Sequence, residues 1–476
     1  MPTSLAPRGS AFDALPDDLV LAVLKALPLD DRCRSAARVC ARFHALATHP
    51  LLLRELDLSV VSGWHDGGAA DAHLAAKLES LCTFLVRHAA AHLRRLELRV
   101  ELCDGDMPGD ACCAALHTLA FRLAAHCSAY GALEELSIIG HNVVEPLAAG
   151  WCVPLAPTLR RLRHDIGDDL EHFEEQFVAP NLAALTRLQD LWITGREQQL
   201  GDDTVFPPAL TRLHLGCFDM FGLPTSLCSL KQLQYLSLAY CPLEEDDLEP
   251  LAACPALTQL TLECCFHIPA SLAQLTQLRA LAVDNTPEYD EQQPEGRLVL
   301  LGALQQLQGL TRVALSGMAW LGGVPAEVGS LPQLARFCWH NRVWQDLPDP
   351  LLPGGAWLSS LRQLAVPLNM AALSLQRLTA AQQLECLAVQ LDSSRHKRTD
   401  NEQRQRQLHQ AAVLAWAAQH PTLSRLALGG DELETLADWR AALALANWPG
   451  RAPLAIVPSE PIFDELGCVH SIGGPW

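Results

Sequence analysis

Apolar side chains recur along most of the chain in the spacing L-x-x-L-x-L-x-x-C, shown by Leu257, Leu260, Leu262 and Cys265. The L-x-L step has the period of a short strand, whose alternate side chains point the same way. The L-x-x step before it is too long for that strand and marks an inward turn. The spacing starts again at Leu53, Leu93, Leu133, Leu159, Leu188, Leu210, Leu233, Leu278, Leu310, Leu334, Leu361, Leu384 and Leu423, with Val313, Phe337, Trp339 and Val366 among the apolar replacements. His164 is the one polar residue in an apolar slot. Successive starts lie mostly 21 to 29 residues apart, and 40 apart near the beginning. One strand per period predicts a solenoid, in which each repeat buries its apolar side against its neighbours. Helical patterns fill the two long periods, over 69–90 (Leu74, Leu78, Leu81, Cys82, Leu85) and 110–127 (Leu116, Leu119, Leu123, Cys127).

Residues 12–50 carry a different rhythm. Pro16, Asp17 and Asp18 suit a helix start, since Pro is tolerated in the first turn and acids favour its positive end. Leu19, Val20, Val23, Leu24 and Leu27 then share one face, Pro28 ends the helix, and Asp30 suits the start of another. Ala36, Val39, Cys40, Phe43 and Leu46 continue an apolar face towards Pro50. Helices this short are marginal alone, so part of their apolar surface should find a partner.

Three phrases in this stretch, Leu15-Pro16-x-x-Leu19, Leu27-Pro28-x-x-Asp31 and Arg38-Val39-Cys40-x-Arg42-Phe43, resemble an F-box. Asp18 stands where Glu is common and Phe43 where Trp is usual. The array behind it has the period of leucine-rich repeats. Its central phrases, Leu223-Pro224-x-x-Leu227-x-x-Leu230, Ile268-Pro269-x-x-Leu272-x-x-Leu275 and Val324-Pro325-x-x-Val328-x-x-Leu331, resemble the convex-side segment of plant-type repeats. In that fold Cys241 and Cys265 would tie the turn after the strand. The order of the two parts resembles the F-box/leucine-rich-repeat family. That resemblance implies an α/β leucine-rich-repeat solenoid, with a curved parallel sheet on the concave side and helices and irregular turns on the convex side, preceded by a small three-helix F-box module. The domains expected are a tail over 1–11, the F-box-like module over 12–50, the solenoid over 51–446, and a cap and tail over 447–476.

Composition narrows the function. A formal net charge of −19 argues against a nucleic-acid partner and disfavours an anionic membrane surface, leaving protein partners open. The 17 cysteines include no C-x-x-C pair and fall mostly among Ala and Leu, so they are expected as reduced core thiols rather than metal ligands. No phosphate loop, nucleophile elbow or H-E-x-x-H helix occurs, and no cofactor, metal or catalytic residue is expected. The first ten residues lack an apolar signal region, no apolar run is long enough to cross a bilayer, and a cytoplasmic or nuclear protein is expected.

Binding is the expected work. The resemblance implies that the module docks on a Skp-type adaptor, and through it a cullin, by residues among Leu15, Pro16, Leu19, Val23, Leu24, Leu27, Leu29, Val39 and Cys40, some of which must be the module's own core. An unidentified protein substrate would lie on the concave face, where equivalent strand positions form rows. One row runs Arg163, Trp192, His214, Ser237, Thr261, Ala282, and its neighbour runs from Asp165 to Glu263, Asp284, Ser316 and His340. A third holds Asp190, Arg212, Tyr235, Gln259, Ala280, Arg312 and Arg336. Trp192, Arg212, His214 and Tyr235 should cluster, a composition typical of interaction hot spots, with Glu263, Asp284, Arg312 and His340 extending the surface. A ladder of cross-strand pairs is the plainer account of the same residues. Stretches 284–297, 340–357 (with Trp344 and Trp357) and 392–407 (with Arg395 to Arg398) interrupt the rhythm as candidate loops. The alternative to a ligase adaptor is a repeat scaffold with a helical N-terminal cap; a weaker third is a sensor with a small molecule bound near Trp192.

Overall fold

The computed structural model describes residues 15–27, 29, 31–61, 68–101, 110–141, 151–166, 177–178, 182–199, 204–218, 223–241, 243, 245–265, 268–284, 294–317, 321, 323–340, 351–390, 400–429 and 455–458. The chain forms two compact units, Met1–Leu210 and Thr211–Trp476, each described by itself.

The first unit opens with α1 (Asp17–Lys25), short turns at Asp31–Ser35 and Ala36–Arg38, and α2 (Ala41–Ala47). Pro16 sits at the N-cap of α1 with Asp17 and Asp18 in the first turn, and the Cys40 Sγ caps α2 by accepting from the Phe43 amide at 3.5 Å. Val20, Leu21, Leu24, Ala36, Leu46 and Leu52 make the module's core, with Leu15, Leu27 and Phe43 packed on it. Arg42 of α2 pairs with Asp17 and donates to the Leu15 carbonyl, which closes the two helices on each other. Pro28 and Asp30 lie outside the described residues.

Five strands follow in parallel and in chain order: β1 (Glu55–Val61), β2 (Arg95–Glu101), β3 (Glu135–His141), β4 (Arg161–Ile166) and β6 (Asp190–Gln199), with β5 (Phe177–Val178) beside the end of β6. One core position is leucine in each of these repeats, Leu56, Leu96, Leu136, Leu162 and Leu191 in register, while the next holds Leu58, Leu98, Ile138, His164 and Ile193. Between strands, α3 (Gly68–Phe84) and α4 (Asp110–Tyr130) pack together. They bury Leu74, Leu78, Cys82, Leu116, Leu119, Leu123 and Cys127; Leu81 keeps part of its surface. The buried Arg32 donates to the Leu52 carbonyl at 3.1 Å, and Leu52, which ends the turn before β1, sits in the module's core.

Among the described residues of the second unit ten parallel strands run in chain order. They are β7 (Arg212–Phe218), β8 (Tyr235–Ala239), β9 (Gln259–Glu263), β10 (Ala280–Asp284), β11 (Arg312–Ser316), β12 (Arg336–His340), β13 (Gln363–Pro367), β14 (Cys386–Gln390), β15 (Arg425–Gly429) and β16 (Ala455–Pro458). Each strand is only about five residues because the chain must turn back within one repeat. The convex side is built from single 3₁₀ turns after Pro224, Pro269 and Pro325, which bury Leu227, Leu272 and Val328. Longer repeats carry α5 (Pro294–Gln306), α6 (Leu368–Leu373), α7 (Leu375–Leu378) and α8 (Asp400–Gln419).

A shared device ends several strands. Tyr240 (φ 54°), Cys264 (φ 48°) and Gly317 (φ 66°) occupy one equivalent position in the left-handed region. Their amides donate to the Glu263, Asp284 and His340 carbonyls of the next strand at 2.7, 2.6 and 2.9 Å. In the two non-glycine cases a buried cysteine follows. Cys241 Sγ donates to the Leu215 carbonyl at 3.8 Å and Cys265 Sγ to Leu238 at 3.6 Å, long sulfur contacts that tie neighbouring turns. Burial pushes the Cys265 thiol well up, so it stays protonated.

Several expectations need correction. Residues 294–297, taken as loop, begin α5. Trp357, placed in a candidate binding loop, is wholly buried and meets Phe337 edge-on at 5.5 Å. Cys338 is disulfide-bonded, so the reading of the cysteines as reduced thiols fails there. Trp344, Arg395 to Arg398 and residues 432–446 lie outside the described residues.

Two glycines on the convex side stand back to back: a Cβ on Gly329 would lie 2.5 Å from the Gly354 oxygen, and one on Gly355 (φ 147°) would strike the Gly329 backbone. A Cβ on Gly302, in α5, would meet nothing. Gly355→Ala should therefore lower stability by roughly 2 kcal/mol while Gly302→Ala raises it by about 0.5–1 kcal/mol, read from urea unfolding midpoints.

His164 fills its leucine slot in β4 beside His117 of α4. Burial lowers its pKa from 6.5 to about 4; Asp165 opposes that shift and His117 adds to it. A base depressed on folding contributes stability that is present above the unfolded value, about 6.5, and is lost as pH falls towards 4. The ring keeps some accessible surface, so the loss should be roughly 1–3 kcal/mol over that window. His164→Leu should remove this component from a pH series of melting temperatures.

Candidate interaction sites

The N-terminal module presents apolar side chains to solvent. Leu19 (53% exposed), Val23 (49%) and Val39 (69%) stand out from it, and Leu51, which the sequence reading passed over, is 61% exposed. Pro16 and Cys40 are exposed, while Leu15, Leu27 and Leu29 are half-buried. Leu24 is wholly inside the core and offers no surface. Helical periodicity put Leu19, Val20, Val23, Leu24 and Leu27 on one apolar face; the second helix packing on α1 divides that face into core and surface. The missed Leu51 sits in the Pro50–Leu52 turn, outside any helical pattern, where a leucine next to a buried leucine was the only cue.

On the concave face of the first unit, charges alternate across the sheet. Arg95, Glu135 and Arg161 stand in register, with Glu135 3.8 Å from Arg95 and 3.5 Å from Arg161. Glu97 lies between Arg95 at 3.3 Å and Arg99 at 2.5 Å. Burial alone would push its carboxyl up, but the two arginines outweigh burial and hold it below the usual carboxylate range. Further along, the buried Arg163 pairs with Asp165 at 2.7 Å, and Asp165 also accepts from the Thr194 hydroxyl. The Arg163 guanidinium stacks 4.7 Å over the Trp192 ring. The ladder thus passes from exposed pairs to a buried aromatic-capped pair.

In the second unit the Arg212 guanidinium lies 5.3 Å over the Tyr235 ring. His214 is buried beside Ser237. Trp192 stacks with Arg163 in the first unit, and Arg212 with Tyr235 in the second. Glu263 and Asp284 are neighbours across β9 and β10, as are Arg312 and Arg336 across β11 and β12. His340 Nε2 lies 2.8 Å from Gln390 Nε2. Asp284 and His340 are both deeply buried. In β1 burial alternates residue by residue, leaving one face to solvent, whereas all five residues of β13 are buried.

Among the described residues no group of three or more His, Cys, Asp or Glu is arranged to hold a metal, and no helix is long and apolar enough to cross a membrane.

A family model described as F-box-like matches residues 12–59, and one for a leucine-rich repeat region matches residues 122–270. An F-box-like domain followed by leucine-rich repeats is the order of an F-box/leucine-rich-repeat protein. Such domains support a substrate-recognition adaptor role and protein-interaction scaffolding, and no catalytic domain is found. No curated protein matches the chain. Among solved structures the chain is similar to an internalin, inlF, from Listeria monocytogenes, at 14% identity over 90% of this chain and 96% of that one, with a TM-score of 0.32. It is also similar to a TDR receptor, at 16% identity over 77% of this chain and 59% of that one, with a TM-score of 0.34.

Asp165→Ala would leave the Arg163 charge buried without its carboxylate and should cost roughly 3–5 kcal/mol. The Arg163→Met, Asp165→Leu double variant should recover most of that loss, measured by the unfolding midpoint.

Proposed function

We propose that the chain is the substrate-recognition subunit of a Skp–cullin–F-box ubiquitin ligase. The observation that carries this reading is the cluster of exposed apolar side chains on the module over 12–50. Large apolar groups such as Leu19, Val23 and Val39 stand above a core that is already complete without them. Burying each against a partner is worth roughly 1.5–3 kcal/mol, enough for a few such anchors to hold a Skp-type adaptor. The repeats, over 51–446, would then hold a protein substrate on the concave face, with Arg212 and Tyr235 of the second unit among its contacts. No residue of the chain performs chemistry in this scheme. Ubiquitin transfer is accelerated because the held substrate meets the charged conjugating enzyme at high effective concentration.

A capped scaffold is the second reading, favoured by the Arg32 hydrogen bond to Leu52 and by the place of Leu52 in the module's core, which is how a cap would seal the first repeat. Co-elution with a purified Skp adaptor on size exclusion separates the two. The adaptor reading expects a complex that Leu19→Asp, Val23→Asp weakens at least a hundredfold with the melting temperature unchanged, since both side chains are exposed. A folded wild-type chain that elutes apart from the adaptor would leave the cap.

A further inference from the structure

Arg312 of β11 and Arg336 of β12 stand in register on the concave side of the second unit, one strand spacing or about 4.8 Å apart. Both are half-buried, and burial first, then the Arg336 charge, lowers the Arg312 pKa. Among the described residues no carboxylate pairs with either one; Glu385, just before β14, is held by Arg362 at 3.0 Å. The same strand position in the first unit is built differently, because there Glu135 lies between Arg95 and Arg161. In the second unit that row, followed from β7 to β15, carries Arg212, Arg312, Arg336 and Arg425 and no Asp or Glu. Like charges on neighbouring strands cost stability. A chain with a formal net charge of −19 has acids to spare, yet this row receives none.

A second observation lies beside the pair. Gln363 of β13, in register with Arg336, is nine-tenths buried, and its Oε1 has no hydrogen-bond partner among the described residues. A buried amide oxygen in that state calls for a donor such as a backbone N–H. Two guanidinium forks suited to carboxylates, with an acceptor for an N–H next to them, match what a peptide brings and a lone inorganic anion does not.

We propose that Arg312, Arg336 and Gln363 form a subsite for an acidic peptide segment, each guanidinium taking one carboxylate and the Gln363 oxygen accepting a backbone N–H. Carboxylates on alternate residues of an extended segment are rooted about 6.6–6.8 Å apart, within reach of two long side chains rooted about 4.8 Å apart. Binding relieves the repulsion between the arginines as well as adding attraction, so it weakens as salt rises. The inference rests on the reading that the repeats hold a protein substrate, and it gives that substrate a chemistry.

The test is fluorescence anisotropy on the full chain alone, with labelled hexaglutamate as the probe and hexaglutamine as its neutral control. Hexaglutamate should bind at least tenfold more tightly than hexaglutamine. Arg312→Gln and Arg336→Gln should each weaken it about tenfold, whereas Arg404→Gln, the same charge change on an exposed arginine of α8, should move it less than about twofold. Equal affinity for the two peptides, equal losses at Arg336 and Arg404, or tighter binding of an oligothymidylate of the same charge each overturns the proposal. Should a glutamine substitution unfold the chain, Gln363→Glu decides. It keeps the shape of the side chain and offers Arg336 a carboxylate from within, so hexaglutamate should bind about tenfold more weakly; unchanged affinity overturns the proposal. No adaptor is present in this assay. A chain that binds hexaglutamate but elutes apart from the adaptor keeps the subsite and loses the ligase reading, and one that co-elutes but ignores hexaglutamate does the reverse.

Discussion

Backbone hydrogen bonding between successive repeats, in one register with core residue opposite core residue, is the constraint on which the rest depends. A single five-residue strand with one apolar side buries too little to stand alone; placed between two copies, it satisfies both backbone edges and encloses its leucines. The register then dictates which other side chains meet. It sets Arg163 over Trp192, Arg212 over Tyr235 and Arg312 against Arg336 with no further choice by those residues. Polar groups at the ends of the strands obey the same rule, since the left-handed residue after β8, β9 and β11 lends its amide to the following strand.

Because register is periodic, the strands, their neighbours and the concave rows were legible in the spacing of the leucines. What lay beyond the period was not. Trp357 looked like a loop residue because the segment before it breaks the pattern, but its ring fills the space beside Phe337 that a leucine would fill elsewhere. Leu24 and Leu19 are indistinguishable on a helical face until the second helix arrives from one side. Pairing of Arg163 with Asp165, two residues apart on one strand, was available from alternation alone; its burial was not, because burial depends on whatever lies above the sheet.

The two units use one scaffold face in opposite ways. In the first, β1 to β3 turn charged side chains to solvent, and exposed pairs of that kind contribute at most about 1 kcal/mol each, so they leave the surface open to exchange for a partner's charges. In the second, the row holds Ala282, Ala314, Ala365, Ala388 and Ala427, and β13 is buried on both sides. The row holds Arg163 and Trp192 in the first unit and Ala365 and Ala388 in the second, while the core slots beneath stay apolar apart from His164, which is why the core pattern alone does not reveal the change.

The Arg32 bond to the Leu52 carbonyl, within a core that the module and the turn before β1 share, has a geometric consequence. A module on a flexible tether sweeps a sphere, and a cargo held by the repeats could offer any of its lysines. A module fused to the first strand behaves as the short end of a lever. Were an adaptor to grip Leu19 and Val23 as proposed, it would set the direction in which the first repeats project, and lysines off that arc would stay out of reach however tightly the cargo was bound. Under the proposed adaptor role, selection would act on position as well as affinity, and lengthening the turn at Pro50 would alter which lysines are modified before it altered what is bound.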